Sequence, residues 1–293
     1  MQDKWIYLNN QLVLENEAKI SPFDHGFLYG HGLFETMRVY HGKVFCLDEH
    51  LKRLHDGSKV LGWPEWFDAE VVSTGIYQTL EKNKLQEASV RLTISRGSGA
   101  SRPDPSTCSQ MTVAVFVHPI HPLSAEVYEQ GWSLAQATIR RNLTSPLCGL
   151  KVANYLDHIL ARAEARQKGA SEALLLNTDG NVAEGTMCNV FFVLDHRLVT
   201  PDEKSGLLPG ITRALVLKIA REAGIKVEER QVHPDELLRV SEIFITSSLL
   251  EIMPVTILDQ RIIKDGRPGP ITKKIQEEYK LKVERSWSAT ERQ

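Results

Sequence analysis

The sequence predicts a two-domain protein of mixed α/β (α+β) class. Three observations carry that prediction. Short β-branched and aromatic runs are joined by two-residue turns, apolar residues recur at helical spacing up to terminal glycines, and a proline-rich stretch divides the chain. At 293 residues there is enough chain for two cores. The divider is His118-Pro-Ile-His-Pro-Leu-Ser124. It separates a smaller N-terminal domain (1–118) from a larger C-terminal one (125–293), with 119–124 as linker.

In the first half, Trp5–Leu8 and Leu12–Leu14 flank Asn9-Asn10, a pair suited to a tight hairpin turn. Phe34–Tyr40 and Val44–Leu47 flank His41-Gly42 in the same way. Asp48 offers an N-cap oxygen to a helix over 49–61, which Gly62 ends. A second helix fills 69–82, and the Val-, Thr- and Phe-rich segments 89–95 and 111–118 return to strand.

The second half alternates helix and strand. Val152, Leu156, Ile159, Leu160 and Ala163 share helical spacing, so Lys151 is expected to open an amphipathic helix that runs to Gly169. Strands 173–176 and 190–194 lie around the turn Thr178-Asp-Gly-Asn181. A helix over 211–223 ends at Gly224 in the manner of a left-handed C-terminal glycine. Val227, 243–245 and 255–258 supply further strands, and Pro270 opens a last helix through about Tyr279.

Composition narrows the function. Net charge is -2 with pI near 6.6 and no polybasic run, which argues against a nucleic-acid or anionic-membrane partner. The first ten residues lack a signal-peptide core, and no apolar stretch reaches the ~20 residues of a bilayer span. Cys46, Cys108, Cys148 and Cys188 are scattered without a CxxC pair, as structural thiols of a cytoplasmic protein would be. No GxGxxG, P-loop, HExxH or GxSxG motif is present. His118 and His121 are each followed by proline and have no third ligand nearby, so no metal site is expected.

What remains is a lysine, an acid and several small-residue loops. A lysine near a helix start and partly desolvated favours the neutral amine that attacks an aldehyde, and Lys151 is placed for this. Read alone, such a lysine is ordinarily a solvated surface residue. Glu184 lies in Val182-Ala-Glu-Gly-Thr-Met-Cys-Asn-Val190, where a carboxylate could face a pyridinium nitrogen or simply solvent. Leu208-Pro-Gly-Ile-Thr-Arg213 runs a glycine turn into a helix, either a phosphate cradle or a plain helix entry. Thr246-Ser-Ser248 ends a strand with hydroxyls that could reach a phosphate or cap a turn.

These parts, in this order, resemble the fold-type IV pyridoxal-phosphate enzymes, the class IV aminotransferases. That group includes branched-chain and D-amino-acid aminotransferases and 4-amino-4-deoxychorismate lyase. The likeness runs through Ser21–Arg38, Asp48–Leu54, Lys151–Leu156, Ala183–Thr186, Leu208–Arg213, Thr246–Pro254 and Asp265–Thr272. It implies a two-domain fold with the active site in the interdomain cleft, pyridoxal 5'-phosphate as cofactor, and a homodimer. By position it implies Lys151 as the Schiff-base lysine that also shuttles the substrate Cα proton. Glu184 becomes the partner of the ring nitrogen, Tyr155 that of the ring oxygen, and Arg53 the phosphate-binding arginine. Ile211 and Thr212 form the phosphate cradle, with Ser247 and Ser248 assisting. Tyr29, Phe34, Arg38 and Arg91 fall where relatives build the substrate pocket.

The implied reaction moves an amino group between an α-amino acid and a 2-oxo acid by a ping-pong mechanism. Two features depart from the branched-chain pattern: Phe34-Glu-Thr-Met-Arg38, and Ser89 where a pocket tyrosine is typical. Val90–Gly99 and Ser21–Tyr40 look closer to aminodeoxychorismate lyases, which release pyruvate and 4-aminobenzoate. Lyase activity is therefore the alternative. A non-catalytic pyridoxal-phosphate or anion-binding protein, with Lys151 merely on the surface, is the third reading. His31 stands where an acid is usual, and Arg102 is a further candidate for a substrate carboxylate.

Overall fold

A computed structural model describes residues 3–63 and 67–288, without the side chains of Trp287 and Ser288. The chain forms two compact units. One comprises Met1–His121 together with Leu150–Tyr155, and the other Pro122–Gly149 with Leu156–Gln293. The short stretch that carries Lys151 thus packs with the N-terminal unit, not with the sequence that flanks it.

The first unit contains β1 (Trp5–Leu8), β2 (Gln11–Leu14), α1 (His25–Tyr29), β3 (Gly32–Tyr40), β4 (Lys43–Val44), α2 (Leu47–Val60), α3 (Ala69–Lys82), β5 (Ala88–Ser95) and β6 (Thr112–Pro119). Its strands form one antiparallel sheet in the order β2-β1-β6-β5-β3-β4. Both expected hairpin turns are present, but the return strand of the second is only Lys43–Val44, and Leu47, expected in that strand, opens α2. Asn9, Asn10, His41 and Gly42 all take positive φ, as a two-residue turn matched to strand twist requires.

Alternation along β3 and β5 sends Leu33, Met37, Val39, Val90, Leu92 and Ile94 into a core with Leu51, Leu54, Val72, Ile76 and Leu80 of α2 and α3. Each such burial stabilises the fold by about 1.5–3 kcal/mol before conformational entropy is charged. At Gly75 of α3 an added Cβ would sit 2.5 Å from the Tyr7 ring, so glycine is what lets that helix meet β1.

Two expectations are corrected. Asp48 is not the N-cap of α2. That place belongs to Cys46, left-handed and without a capping side chain, while Asp48 and Glu49 lie in the first turn and meet the positive helix end. Lys151 does not open a helix, because the next helix begins at Leu156. Residues 151–153 instead run as extended backbone against β3. Val152 bridges to Leu33, Phe34 N donates to Lys151 O (3.0 Å), and Ala153 N donates to Gly32 O (2.7 Å).

The second unit contains α4 (Ala125–Gln130), β7 (Trp132–Arg141), α5 (Leu156–Gln167), β8 (Glu172–Asn177), β9 (Val182–Gly185), β10 (Asn189–Leu194), β11 (Arg197–Thr200), α6 (Ile211–Glu222), β12 (Val227–Glu229), β13 (Glu242–Ser247), β14 (Glu251–Leu258), β15 (Arg261–Ile262) and α7 (Pro270–Ser288). The sheet order is β12-β11-β10-β13-β14-β7-β8-β9, with β15 on β14. Pairs β11/β12, β14/β7 and β7/β8 are parallel and the others antiparallel. Strands β8 and β10 are buried at every position, which explains the unbroken apolar runs Ala173–Leu176 and Val190–Leu194 within them.

Helix α5 reverses its expected face. Leu156, Ile159 and Leu160 are exposed, and Ala161 and Ala165 pack on Ala135, Ala137 and Ala173. Small residues let the helix approach the sheet closely, so the bulky apolar side chains point away from it.

Candidate active site

In the first unit the chemistry gathers around Phe34. The Lys151 Nζ lies 4.4 Å from its ring centroid, and the Arg91 guanidinium carbon lies 3.4 Å from it. Tyr155 meets the same ring edge-on at 5.4 Å. Both cations lie within cation–π distance of the one ring, a kind of contact that strengthens as water is removed. Burial pushes the Arg91 pKa down to about 10, which still leaves it charged at neutral pH. Its Nε donates to Thr93 Oγ1 (3.2 Å).

Beneath this group is a buried network of Glu35, His50 and Arg53. Glu35 accepts both arms of Arg53, from Nε to Oε1 at 2.8 Å and from NH2 to Oε2 at 2.6 Å. His50 Nδ1 donates to Oε2 at 2.7 Å. Burial alone would raise the Glu35 carboxyl, but Arg53 and His50 outweigh it and hold it at about 2. His50 is pushed below its ordinary range, chiefly by burial, with Arg53 and Lys151 adding repulsion. Its Nδ1–H donates a hydrogen bond to a carboxylate that keeps its charge. The sequence did carry a signal for Glu35: it alternates with Leu33 and Met37 and so belongs to the core face of β3.

The other substrate candidates are more dispersed. Arg38 is buried, donates to Glu87 (2.8 Å) and stacks over Tyr40. Tyr29 is exposed at the end of α1 and packs edge-on against His25. Arg102 is exposed and pairs with its neighbour Asp104 (3.2 Å).

In the second unit, Glu184 is buried on β9. Its Oε2 accepts the Leu208 N–H (2.9 Å), and its Oε1 lies 3.2 Å from Arg141 Nε. Arg141 and the buried His158, which lies 3.9 Å from the same oxygen, were missed by sequence reasoning. Neither sits in a motif.

Glu184 thereby fixes the loop that enters α6. Gly210 holds the N-cap position of α6 with no capping side chain, unlike Asp68 at α3. A Cβ at Gly210 would fall 2.0 Å from Asn189 Oδ1, and Asn189 Nδ2 in turn donates to Leu208 O (2.8 Å). Across the sheet Asn189 pairs with Thr246, whose buried Oγ1 has no hydrogen-bond partner. Ser247 Oγ accepts the Leu250 N–H (3.2 Å), and Ser248 follows it. Glu184, the start of α6 and the Thr246–Ser248 strand end are thus linked through Asn189 and Leu208.

Residues 32–258 match the Amino-transferase class IV family. The chain belongs to that family. It is 40% identical to a putative branched-chain-amino-acid aminotransferase of Methanocaldococcus jannaschii, over 94% of this chain and 95% of that protein. It is 32% identical to the aminodeoxychorismate lyase of Bacillus subtilis, over 98% and 100%. Among solved structures, the branched-chain amino acid aminotransferase of Escherichia coli superposes with a TM-score of 0.89. It shares 32% identity, covering 94% of this chain and 93% of that one.

Class IV aminotransferases work with pyridoxal 5'-phosphate, and residues of this chain fit that group on their own evidence. The first turn of α6 presents N–H groups that no side chain caps, which is a ready anion site. The orphaned Thr246 hydroxyl stands beside it through Asn189. An aldehyde needs an amine, and Lys151 is a half-buried one set against an aromatic ring.

Proposed function

We propose that this class IV aminotransferase moves amino groups between branched-chain or related aliphatic amino acids and 2-oxo acids. The observation that carries the reading is the Lys151 amine over Phe34 with Arg91 on the same ring. It sets a nucleophile and a carboxylate-binding cation against an apolar surface. The likeness to the M. jannaschii protein supports the aliphatic choice.

Bound pyridoxal phosphate supplies an electrophilic carbonyl and an electron-withdrawing ring. Lys151 Nζ would hold it, take the proton from the substrate Cα and return it. The Glu184 carboxylate would hold a proton at the ring nitrogen, oriented by Leu208 N–H and Arg141. Tyr155 would donate to the ring oxygen. The α6 N–H groups of Ile211 and Thr212, with Ser247, Ser248 and Arg53, would bind phosphate. Arg91 would orient a substrate carboxylate, and Phe34 would exclude water from the amine.

A homodimer belongs to the same reading. Phe23, Phe27, Leu28 and Tyr29 are exposed in the first unit, and Leu156, Ile159 and Leu160 in the second. The free thiols of all four cysteines suit a cytoplasmic setting. Among the described residues no helix is long and apolar enough to cross a membrane.

The test is to assay purified protein with leucine, isoleucine or valine and 2-oxoglutarate, beside Lys151→Ala. Wild type should absorb in the visible range and form the branched-chain 2-oxo acid, and Lys151→Ala should do neither. Rapid release of 4-aminobenzoate from aminodeoxychorismate, with no amino donor consumed, would replace this reading with the lyase. A wild type that takes up no pyridoxal phosphate would leave only the non-catalytic one.

A further inference from the structure

Arg96 directly follows β5, where its backbone N–H donates to His31 O at 3.0 Å. The residue keeps only 6% of its surface exposed. Among the described residues its guanidinium makes no hydrogen bond and no ion pair, and NH1 is fully buried without a partner. The other two arginines buried among the described residues are both neutralised, Arg38 by Glu87 and Arg213 by Glu229. A buried charge with no counter-charge is strongly unfavourable, so an unpaired one calls for a partner outside the chain's own fold.

The surroundings select the sign and kind of that partner. His31 Nε2 accepts the indole N–H of Trp63 at 3.0 Å. An indole can only donate, so His31 is neutral there and carries its proton on Nδ1. Burial, His25 and Arg96 all disfavour a second proton on it. His25 Nε2 spends its own N–H on Ala100 O (2.9 Å). The nearby Asp24 carboxylate is taken up by Gly26 N (2.7 Å) and Thr112 Oγ1 (2.6 Å). The group therefore offers a planar cationic fork and a neutral imidazole N–H, and no acceptor of its own.

We propose that Arg96 and His31 form a carboxylate-binding subsite for a small carboxylate-bearing molecule. A guanidinium fork matches a carboxylate in two parallel bonds, which an uncharged ligand could not exploit. The subsite adjoins the Lys151 segment through the strand itself, since Gly32 O, the next carbonyl after His31, receives Ala153 N (2.7 Å). The ligand class follows from the unneutralised charge alone and stands independently of the aminotransfer reading.

The experiment titrates the cofactor-loaded protein with sodium succinate at constant ionic strength by calorimetry. Wild type is compared with Arg96→Leu and His31→Asp, and thermal midpoints are recorded for all three. The expected result is saturable binding to wild type that weakens at least tenfold in both variants. Arg96→Leu without succinate should melt no lower than wild type, because an unpaired charge has been removed. His31→Asp should melt higher, because it places a carboxylate beside Arg96, and it carries the test alone if Arg96→Leu fails to fold. Equal succinate binding by wild type and variants would overturn the proposal, as would no saturable binding to wild type. So would a change of oligomeric state in Arg96→Leu, which would assign the counter-charge to a second copy of the chain.

Discussion

Arg53 grips Glu35 with both arms of its guanidinium, at 2.8 and 2.6 Å, from the helix into the core face of the sheet. This pair sits with His50 under the ring that carries the Lys151 amine. It couples the stability of the first unit to pH.

Folding stability should fall steeply in acid. The Glu35 carboxyl is held at about 2 against an ordinary 4.5. Its contribution is therefore complete above the ordinary value and drains away as pH drops through 4.5 toward 2, by about 3 kcal/mol in all. His50 acts in the same direction. Its proton affinity is lowered on folding, so the unfolded chain protonates first as pH falls below its ordinary 6.5. Urea unfolding from pH 7 to 3 should show this slope, and Glu35→Gln should flatten its lower part while being less stable at pH 7.

Arg53→Lys tests whether the arginine serves phosphate as well as Glu35. A lysine retains the charge but cannot make the two-armed grip. The variant should lose about 1–2 kcal/mol of stability and bind pyridoxal phosphate roughly tenfold more weakly. Unchanged cofactor affinity, measured by fluorescence titration, would restrict Arg53 to a structural part.

Glu184→Gln keeps the shape of the side chain and its acceptor for Leu208 N–H. It should still bind cofactor but slow the half-reaction with an amino acid by about 10²-fold or more. Stopped-flow absorbance with a single amino donor reads this directly. A half-reaction at the wild-type rate would remove Glu184 from the chemistry.

Gly210→Ala should weaken both stability and cofactor binding. The new Cβ falls 2.0 Å from Asn189 Oδ1 and 3.3 Å from Arg213 Cβ, so Asn189 must give up its bond to Leu208 O. Overpacking of this kind costs about 1–3 kcal/mol. Because the start of α6 moves with it, the dissociation constant for pyridoxal phosphate should rise in parallel. Loss of stability with unaltered cofactor affinity would contradict the phosphate role of α6.

Much of the fold was legible because its signals are local. Asn9-Asn10 and His41-Gly42 marked hairpins, since few residue types accept positive φ at both turn positions. The end of α6 followed from Gly224, which takes the left-handed conformation expected of it. Misreadings came where local pattern and tertiary context disagree. The apolar spacing of Leu156, Ile159 and Leu160 resembles a core face, but the sheet selects the alanines between them.

Lys151, Glu184 and the α6 entry stood out in the sequence only through their order along the chain, the order that resembles the family. Their supports did not. Arg141 and His158 reach Glu184 only once β7, α5 and β9 are assembled. The donors on Glu35 come from a helix that packs against its strand, and only its alternation with Leu33 and Met37 hinted at burial.

The return of Leu150–Tyr155 to the first unit sets an order of assembly. As the chain leaves the ribosome, everything through His121 emerges before the segment that bridges to Leu33 has been made. Residues 122–149, which belong to the other unit, must be synthesised in between. The first unit therefore closes late, and the segment that completes it carries Lys151. A fragment cut at the proline-rich linker would lack that segment, so the two units cannot be separated at a single point in the chain.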